Sequence, residues 1–338
     1  MKKIETVNAV GCVLQHDITE IIPGEVKGRA FKKGHIIKEE DIEKLLRLGK
    51  DHIYVFELGD KGIHENDAAF ILGEIGKGKN IRLADEIKEG KINFYAEEDG
   101  ILKVDVEKLL ELNMLGEISF ATLPDNIPVK KGELIAGARV IPLVIDKEKM
   151  ERAQNIISTP ILNVNSYRKY KVGMVTTGNE VFFGRIEDKF GKIVVDKLKE
   201  FDCEVIAQLF SQDNKEMIKA KAQELLDMGA EILIFTGGMS VDPDDVTPSA
   251  IIEMGGELVS YGSPVLPGSM FLLSYLGNVP VMGLPGCVMF AKRTIFDLIL
   301  PRVLSEEKLT TRDIMMYGNG GLCQSCEVCH YPNCTFGK

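Results

Sequence analysis

The chain has 338 residues, of which 45% are hydrophobic and 27% are charged, as in proteins that fold around apolar cores. That length is sufficient for two or three domains. With 41 basic and 51 acidic residues the net charge is −10, which argues against a general nucleic-acid-binding protein. A single anionic small molecule is compatible with this charge, because local amides or a metal ion can outweigh the overall field.

Neither a signal peptide nor a membrane span is predicted. Residues 4–17 are of mixed polarity and lack a continuous apolar core. The most hydrophobic window, 270–291, is interrupted by glycine, asparagine and proline, which favours two strands with turns. We therefore expect a cytoplasmic protein that does not contact membranes.

The first 165 residues predict two regions. Residues 1–65 are expected to form an α+β segment, with a helix over 39–48 and a strand over 52–56. Residues 66–165 contain short apolar runs split by glycine and charged turns, a pattern typical of a β-rich domain. Its strands are predicted at 91–96, 101–106, 117–123 and 134–144, and a linker at 158–167.

Residues 166–308 alternate between strand and helix signals. Strands are predicted at 171–176, 204–209, 232–235, 257–261, 270–275 and 279–283. Helices are predicted at 192–200, from about 211 to 226, from Thr247 as N-cap to about 254, and from 288 to 300, where Pro301 should end the last one. This alternation predicts an α/β fold with a mostly parallel sheet covered by helices on both faces, a three-layer αβα domain.

The loop that follows the strand at 232–235 contains the most distinctive chemistry. Gly237 and Gly238 allow a tight turn and close approach of a ligand. They are followed by Ser240 and by three carboxylates, Asp242, Asp244 and Asp245. Free amides attract phosphate and carboxylates attract magnesium, so we predict a phosphate and metal crevice. The alternative is an ordinary βα turn whose acidic residues cap a helix or are solvated.

Two further loops follow strands of the same predicted sheet. The first contains Thr177, Gly178, Asn179 and Glu180 and extends to Asp188. The other runs through Pro285, Gly286 and Cys287. Because ligands bind beyond the carboxyl ends of parallel strands, we expect the three loops to converge on one pocket.

Together these loops resemble the molybdopterin-binding domain shared by molybdopterin molybdotransferases, molybdopterin adenylyltransferases and CinA proteins. The resemblance covers about 171–304. The matching positions are Gly178, Glu180, Gly184, Ile186 and Asp188 in the first loop, and Gly237, Gly238, Ser240 and Asp245 in the second. Asp245 is the position common to all three branches of the family.

This chain departs from the family pattern at several positions. Asn179 stands where the family has aspartate, Asp242 where molybdotransferases have glycine, and Cys287 where the family has asparagine. Residues 266–269 lack the two lysines of the family's Lys-Pro-Gly-Lys motif. Without those two cations, we expect weaker binding of a phosphate.

The resemblance implies a role in molybdenum cofactor biosynthesis, in which the chain binds adenylated molybdopterin, an anionic pterin, and inserts molybdate with Mg²⁺. Glu180 and Asp245 would be catalytic, and Asp244 and Asp245 would hold the metal. The pterin would be bound by Thr177, Gly178, Asn179, Asp188, Gly237, Gly238, Ser240, Pro285, Gly286 and Cys287. Pterin adenylylation and a non-catalytic carrier or sensor remain alternatives, as does tungsten in place of molybdenum. The relatives imply a homo-oligomer.

Residues 309–338 form a cysteine-rich tail. Cys323, Cys326, Cys329 and Cys334 have the spacing C-x2-C-x2-C-x4-C, close to the bacterial ferredoxin run. The last gap is one residue longer, and the proline precedes the final cysteine. Four thiolates, or three with His330, equally suit zinc. In a reducing compartment such clustering indicates a metal, so we predict an iron–sulfur cluster or Zn²⁺, and docking of a molybdoenzyme or biosynthetic partner.

Overall fold

A computed structural model describes residues 2–22, 26–56, 62–240 and 245–338. The chain divides into two compact units. Unit 1 consists of residues 1–98, 103–123 and 131–164, and unit 2 of residues 99–102, 124–130 and 165–338. The finer division into regions 1–65, 66–165, 166–308 and 309–338 stays a prediction.

The chain up to residue 166 is rich in short strands. The strands are β1 (Lys2–Glu5), β2 (Val13–Leu14), β3 (Ile18–Ile22), β4 (Val26–Phe31), β5 (His52–Phe56), β6 (Gly62–His64), β7 (Ile81–Leu83), β8 (Lys91–Ala96), β9 (Gly100–Val104), β10 (Ile118–Thr122), β11 (Ile127–Val129), β12 (Leu134–Val140), β13 (Val144–Asp146) and β14 (Leu162–Ser166). The helices are α1 (Glu39–Arg47), α2 (Glu65–Gly76), α3 (Val106–Met114) and α4 (Lys147–Ile156), with a 3₁₀ helix at Thr6–Asn8. The sheet orders are β1-β5-β2, β3-β4, β13-β6, β10-β12-β8-β7 and β11-β9-β14.

The strands predicted at 52–56 and 91–96 are confirmed with the same bounds. The linker predicted at 158–167 is wrong, because it contains β14. Helix α2 is not predicted from the sequence, since Gly73 and Gly76 lower helix propensity. Here these glycines make room for neighbours: a Cβ at Gly76 would lie 2.7 Å from the ring of Phe120, and one at Gly73 would lie 2.9 Å from Leu83.

Unit 2 contains a six-stranded, mostly parallel sheet. Its strands are β15 (Lys171–Thr177), β16 (Glu204–Ser211), β17 (Ile232–Thr236), β18 (Glu257–Tyr261), β19 (Leu272–Leu276) and β20 (Val279–Leu284), in the order β16-β15-β17-β20-β19-β18. The helices are α5 (Asn179–Phe182), α6 (Phe190–Lys199), α7 (Lys215–Asp227), α8 (Thr247–Glu253), α9 (Ile295–Leu304) and α10 (Thr311–Met316), with a 3₁₀ helix at Gly286–Met289. Over the described ranges, no helix combines the length and apolarity needed to cross a bilayer.

Both faces of this sheet are covered by helices. Ile232 and Ile234 of β17 belong to a core that includes residues of α6 and α9. Leu233 and Phe235 belong to a second core that includes residues of α7 and α8. Because alternate side chains of a strand point to opposite faces, the two cores lie on opposite sides of the sheet. The predicted α/β fold with helices on both faces of a mostly parallel sheet is confirmed for this unit.

Helix α9 corrects one prediction. The helix predicted at 288–300 is instead a 3₁₀ helix followed by α9, which runs through Pro301 to Leu304. Proline has no N–H to donate to the carbonyl four residues earlier, which usually breaks a helix. Here that carbonyl belongs to Asp297, and the Tyr331 hydroxyl donates to it over 3.2 Å. The tail thus supplies the hydrogen bond that Pro301 cannot make.

Removing this hydroxyl should destabilise unit 2. We expect Tyr331→Phe to lower the free energy of unfolding by about 1–2 kcal/mol, because the Asp297 carbonyl would be left without its donor. Urea unfolding measures the loss. Tyr54→Phe, which changes a side chain that is 48% exposed, is the control and should have little effect. Equal midpoints for wild type and Tyr331→Phe would contradict this role of Tyr331.

Candidate functional site

The three loops singled out in the sequence all follow parallel strands of the unit 2 sheet. Thr236 at the end of β17 is paired with Thr176 of β15 on one side and with Leu284 of β20 on the other. The strands β15, β17 and β20 therefore end at the same edge of the sheet. From β15 the chain passes to β16 on one side and then to β17 on the other, which makes this edge a topological switch point.

A cleft of about 530 Å³ opens at this edge. It is lined by the loop after β17, by the loop after β20, by the segment before β19 and by one residue of α6. These residues are Gly237, Gly238, Met239, Ser240 and Asp245; Leu284, Pro285, Gly286, Cys287 and Met289; Leu266, Pro267, Gly268, Ser269 and Met270; and Phe190. The structure thus brings the second and third loops together on one cleft.

The first loop packs directly against the second. Gly237 has φ +85°, and a Cβ there would lie 2.2 Å from the backbone oxygen of Thr177. Gly238 has φ +55°, and a Cβ there would lie 2.6 Å from the Thr247 hydroxyl. Only glycine combines this backbone conformation with such close approach. The absence of side chains at Gly237 and Gly238 therefore allows the loops after β15 and β17 to pack closely.

A hydroxyl pair continues this contact beneath the loops. The buried Thr177 Oγ1 lies 2.9 Å from Thr247 Oγ1 and 3.3 Å from the carbonyl oxygen of Thr236. The prediction that Thr247 caps α8 is wrong, because the N-cap is Val246 and makes no side-chain capping bond. The Thr247 hydroxyl instead pairs with Thr177, a predicted pterin-binding residue that here joins the first two loops.

Asp245 is half-buried in the wall of the cleft. Its Oδ2 accepts a hydrogen bond from the Ser240 amide over 3.0 Å, which fixes the carboxylate across the turn. Tyr261 lies near Asp245. Partial burial raises the pKa of the Tyr261 hydroxyl, and the negative charge of Asp245 raises it further. That hydroxyl donates to the Met239 carbonyl over 3.4 Å. No sequence signal points to Tyr261, because β18 follows the glycine loop only after an intervening helix.

Backbone amides provide the anion-binding potential of the cleft. Within the described ranges, the amides of Gly238 and Gly286 donate to no acceptor. Gly286 begins the 3₁₀ helix and is exposed. Amides without a protein acceptor at the mouth of a cleft can donate to phosphate oxygens.

None of the predicted site residues of the first loop, Thr177, Gly178, Asn179, Glu180 and Asp188, lines the cleft. Asn179 and Glu180 are exposed, and the Asn179 amide donates to Asp213 Oδ2 over 3.1 Å. Asp188 accepts hydrogen bonds from the amides that begin α6, at Phe190 and Gly191. Its Oδ2 also lies 2.5 Å from the Gln208 amide nitrogen, a partner that the sequence did not reveal. Asp188 therefore orients α6, whose Phe190 lines the cleft.

Cys287 provides a chemical probe of the cleft. Burial raises the pKa of its thiol, so the reactive thiolate should form only at higher pH. We expect the rate of its alkylation by iodoacetamide to have a midpoint above the value of about 8.5 for an exposed thiol. Peptide mapping by mass spectrometry measures this rate, with a short peptide of the same local sequence as control. A midpoint at or below that of the peptide would contradict the half-buried position of Cys287.

The predicted metal ligands fall into three groups. Asp244 lies outside the described residues, and Asp245 lines the cleft. The four tail cysteines line a second cavity of about 430 Å³. In the part of the chain that the structure describes, no three His, Cys, Asp or Glu side chains form a group that could hold a metal ion. The metal assignments stay predictions.

Comparison with known proteins identifies two matching families. Residues 173–305 match a family described as "Probable molybdopterin binding domain", and residues 3–57 match a domain of unknown function. A molybdopterin molybdenumtransferase of Haemophilus influenzae is 30% identical over 227 residues, which cover 61% of this chain and 52% of that protein. Another, of Synechococcus elongatus, is 27% identical over 116 residues, 32% of this chain and 29% of that protein.

The chain therefore spans about half or less of the length of these curated relatives. Among solved structures, the molybdopterin biosynthesis enzyme MoaB of Thermus thermophilus is 21% identical. The similarity covers 41% of this chain and 98% of that one, with a TM-score of 0.34.

Proposed function

We propose that this chain, which carries a domain of the molybdopterin-binding family, acts in molybdenum cofactor biosynthesis as a molybdopterin molybdotransferase-like enzyme. The observation that carries the proposal is the cleft at the switch point. Asp245, Gly238 and Gly286 all line this cleft. The curated relatives named as molybdopterin molybdenumtransferases support the same class. The substrates would be adenylated molybdopterin and molybdate.

We assign separate roles in binding the substrate and in positioning charge to the residues of the site. The amides of Gly238 and Gly286 would donate to the phosphates of the adenylated pterin. Ser240 would hold Asp245 in place through its backbone amide. Glu180, exposed at the start of α5 and outside the cleft wall, would orient a water or hydroxyl. Cys287 would contact the pterin from the loop after β20.

The donor set fits magnesium. Asp245 offers a carboxylate whose Oδ2 is fixed by Ser240, while its Oδ1 has no partner within the described ranges. Hard oxygen ligands of this kind suit Mg²⁺, which needs only one or two carboxylates besides substrate phosphate and water. When bound, the ion would neutralise phosphoryl charge as the adenylated pterin is cleaved.

A non-catalytic carrier is the second candidate, and one observation favours it. Among the described residues that line the cleft, Asp245 is the only charged side chain. The segment 266–269, where the family has two lysines, lines the cleft with Leu266, Pro267, Gly268 and Ser269 instead. A cleft without cations would bind an anionic pterin through amides and magnesium, with less stabilisation of charge that develops during cleavage.

Two incubations separate these functions. The purified chain is mixed with adenylated molybdopterin, Mg²⁺ and molybdate, and AMP is measured by chromatography. Release of AMP that depends on molybdate supports the transferase. Tight binding without AMP release supports the carrier. In the second incubation the chain is mixed with ATP, Mg²⁺ and metal-free molybdopterin, and consumption of ATP supports the adenylyltransferase. The absence of pterin binding would overturn the assignment of the cleft.

A further inference from the structure

The four cysteines of the tail surround one cavity. Cys323, Cys326, Cys329 and Cys334 all line a volume of about 430 Å³, together with His330. Their spacing in the sequence makes them candidates for a shared ligand, and the structure places them on the wall of a single chamber. This cavity is distinct from the cleft at the switch point, because the two share no lining residue.

The segment that carries these cysteines is built into the core of unit 2. Cys323 and Cys334 pack against the main core cluster, and Phe336 is buried within it. The Cys323 amide donates to the Leu266 carbonyl over 2.8 Å, and the Tyr331 hydroxyl donates to Asp297. The tail therefore holds two thiols at the inner wall, in positions fixed by packing and hydrogen bonds.

The other two thiols lie on the solvent side, next to two cations. Cys326 and Cys329 are exposed. Lys292 donates to the carbonyl of Glu327 and reaches that of Cys326 at 3.5 Å. Arg293 lines the same cavity as Lys292. Both cations therefore lie on the wall of the cavity that the two exposed thiols also line.

From this arrangement we propose that Cys323, Cys326, Cys329 and Cys334 ligate a [4Fe–4S] cluster in the tail cavity. A single zinc ion draws four ligand atoms to within about 2.3 Å of itself. Here no three His, Cys, Asp or Glu side chains of the described residues converge on a single ion, whereas all four thiols line one chamber of about 430 Å³ that has room for a polynuclear cluster. The C-x2-C-x2-C run is also the spacing that presents three thiolates to one four-iron cluster. Lys292 and Arg293 would offset the negative charge of four thiolates and the cluster.

The test is the metal content of the full chain, purified without oxygen. We expect about four iron and four acid-labile sulfide per chain, with broad visible absorption that bleaches on addition of dithionite. Reduction by one electron should give a paramagnetic signal. Stoichiometric zinc without sulfide, or a chain that contains neither metal, would overturn the proposal. This readout requires no pterin, so it is independent of the proposed transferase function.

Three variants assign the cluster to the cavity. Cys326→Ser changes an exposed side chain, so the fold should persist while bound iron falls several-fold. Cys12→Ser, in unit 1, is the matched cysteine control and should keep full iron. His330→Ala should also keep iron, whereas a site of three cysteines and one histidine would lose its metal. Equal iron in Cys326→Ser and Cys12→Ser would refute the assignment, and circular dichroism checks folding of each variant.

Discussion

Asp245→Asn should lower the release of AMP from adenylated molybdopterin by about 100-fold or more, because a metal-bound carboxylate contributes several kcal/mol of charge stabilisation. Asparagine keeps an oxygen that can accept the Ser240 amide, so the turn between β17 and α8 should be retained. Loss of activity would then reflect the missing charge. The measurement is the initial rate of AMP formation at saturating Mg²⁺.

The matched control is Asp227→Asn, which removes a carboxylate at the end of α7, away from the cleft wall. Its rate should equal that of the wild type. Raising the Mg²⁺ concentration should recover part of the activity of Asp245→Asn if the residue binds the ion. Unchanged AMP release in Asp245→Asn would remove this residue from the proposed mechanism.

Gly237→Ala should destabilise unit 2 by about 3 kcal/mol or more. The new Cβ would lie 2.2 Å from the Thr177 carbonyl oxygen, which belongs to the backbone and cannot rotate away. The positive φ of +85° adds strain to any residue other than glycine. Relief requires β15 and β17 to separate where their loops meet. Urea unfolding gives the change in free energy.

Gly255→Ala separates the steric clash of the new Cβ from the strain of the positive φ. Gly255 has nearly the same φ, +82°, but a Cβ there meets no atom within 4 Å. Its cost should be only about 1 kcal/mol, the penalty of the backbone conformation alone. If Gly237→Ala and Gly255→Ala cost the same, the close approach of the first two loops would not contribute to stability.

Hydrophobic patterning predicts the architecture of unit 2 well. The apolar run of β17 and the alternation of strands with helices indicate a parallel sheet with two covered faces, which the two core clusters confirm. The strand at Glu257–Tyr261 has the predicted bounds. Such features depend on burial of local segments, and local sequence reports burial directly.

The wrong predictions for Pro301 and Thr247 have a common physical cause. Local pattern predicts that Pro301 ends a helix, but a tyrosine thirty residues later in the chain supplies the missing hydrogen bond. It predicts that Thr247 caps a helix, but the Thr247 hydroxyl pairs with Thr177 across two loops. Each outcome depends on a partner distant in sequence, and patterning within a segment carries no information about such partners.

The candidate site is predicted in part. The sequence predicts that three loops converge on one pocket. The second and third loops line one cleft, whereas no residue of the first loop does, and Asn179 and Glu180 are exposed. Phe190 and Tyr261 are missed because an apolar ring just before a predicted helix and a tyrosine at the end of a predicted strand carry no signal of a ligand site. Their position follows from the packing of α6 and β18, which the sequence alone does not determine.

The cleft at the switch point and the cysteine-lined cavity are bordered by one segment of chain, residues 284–293, which forms a partition between them. Gly286 and Cys287 face the cleft, while Lys292 and Arg293, a few residues further along, face the cysteine-lined chamber. Leu266, on the cleft side, is hydrogen-bonded through its backbone to Gly321 and Cys323 on the other. Because the same short segment and the same backbone hydrogen bonds border both cavities, a displacement of this partition would change the walls of both at once.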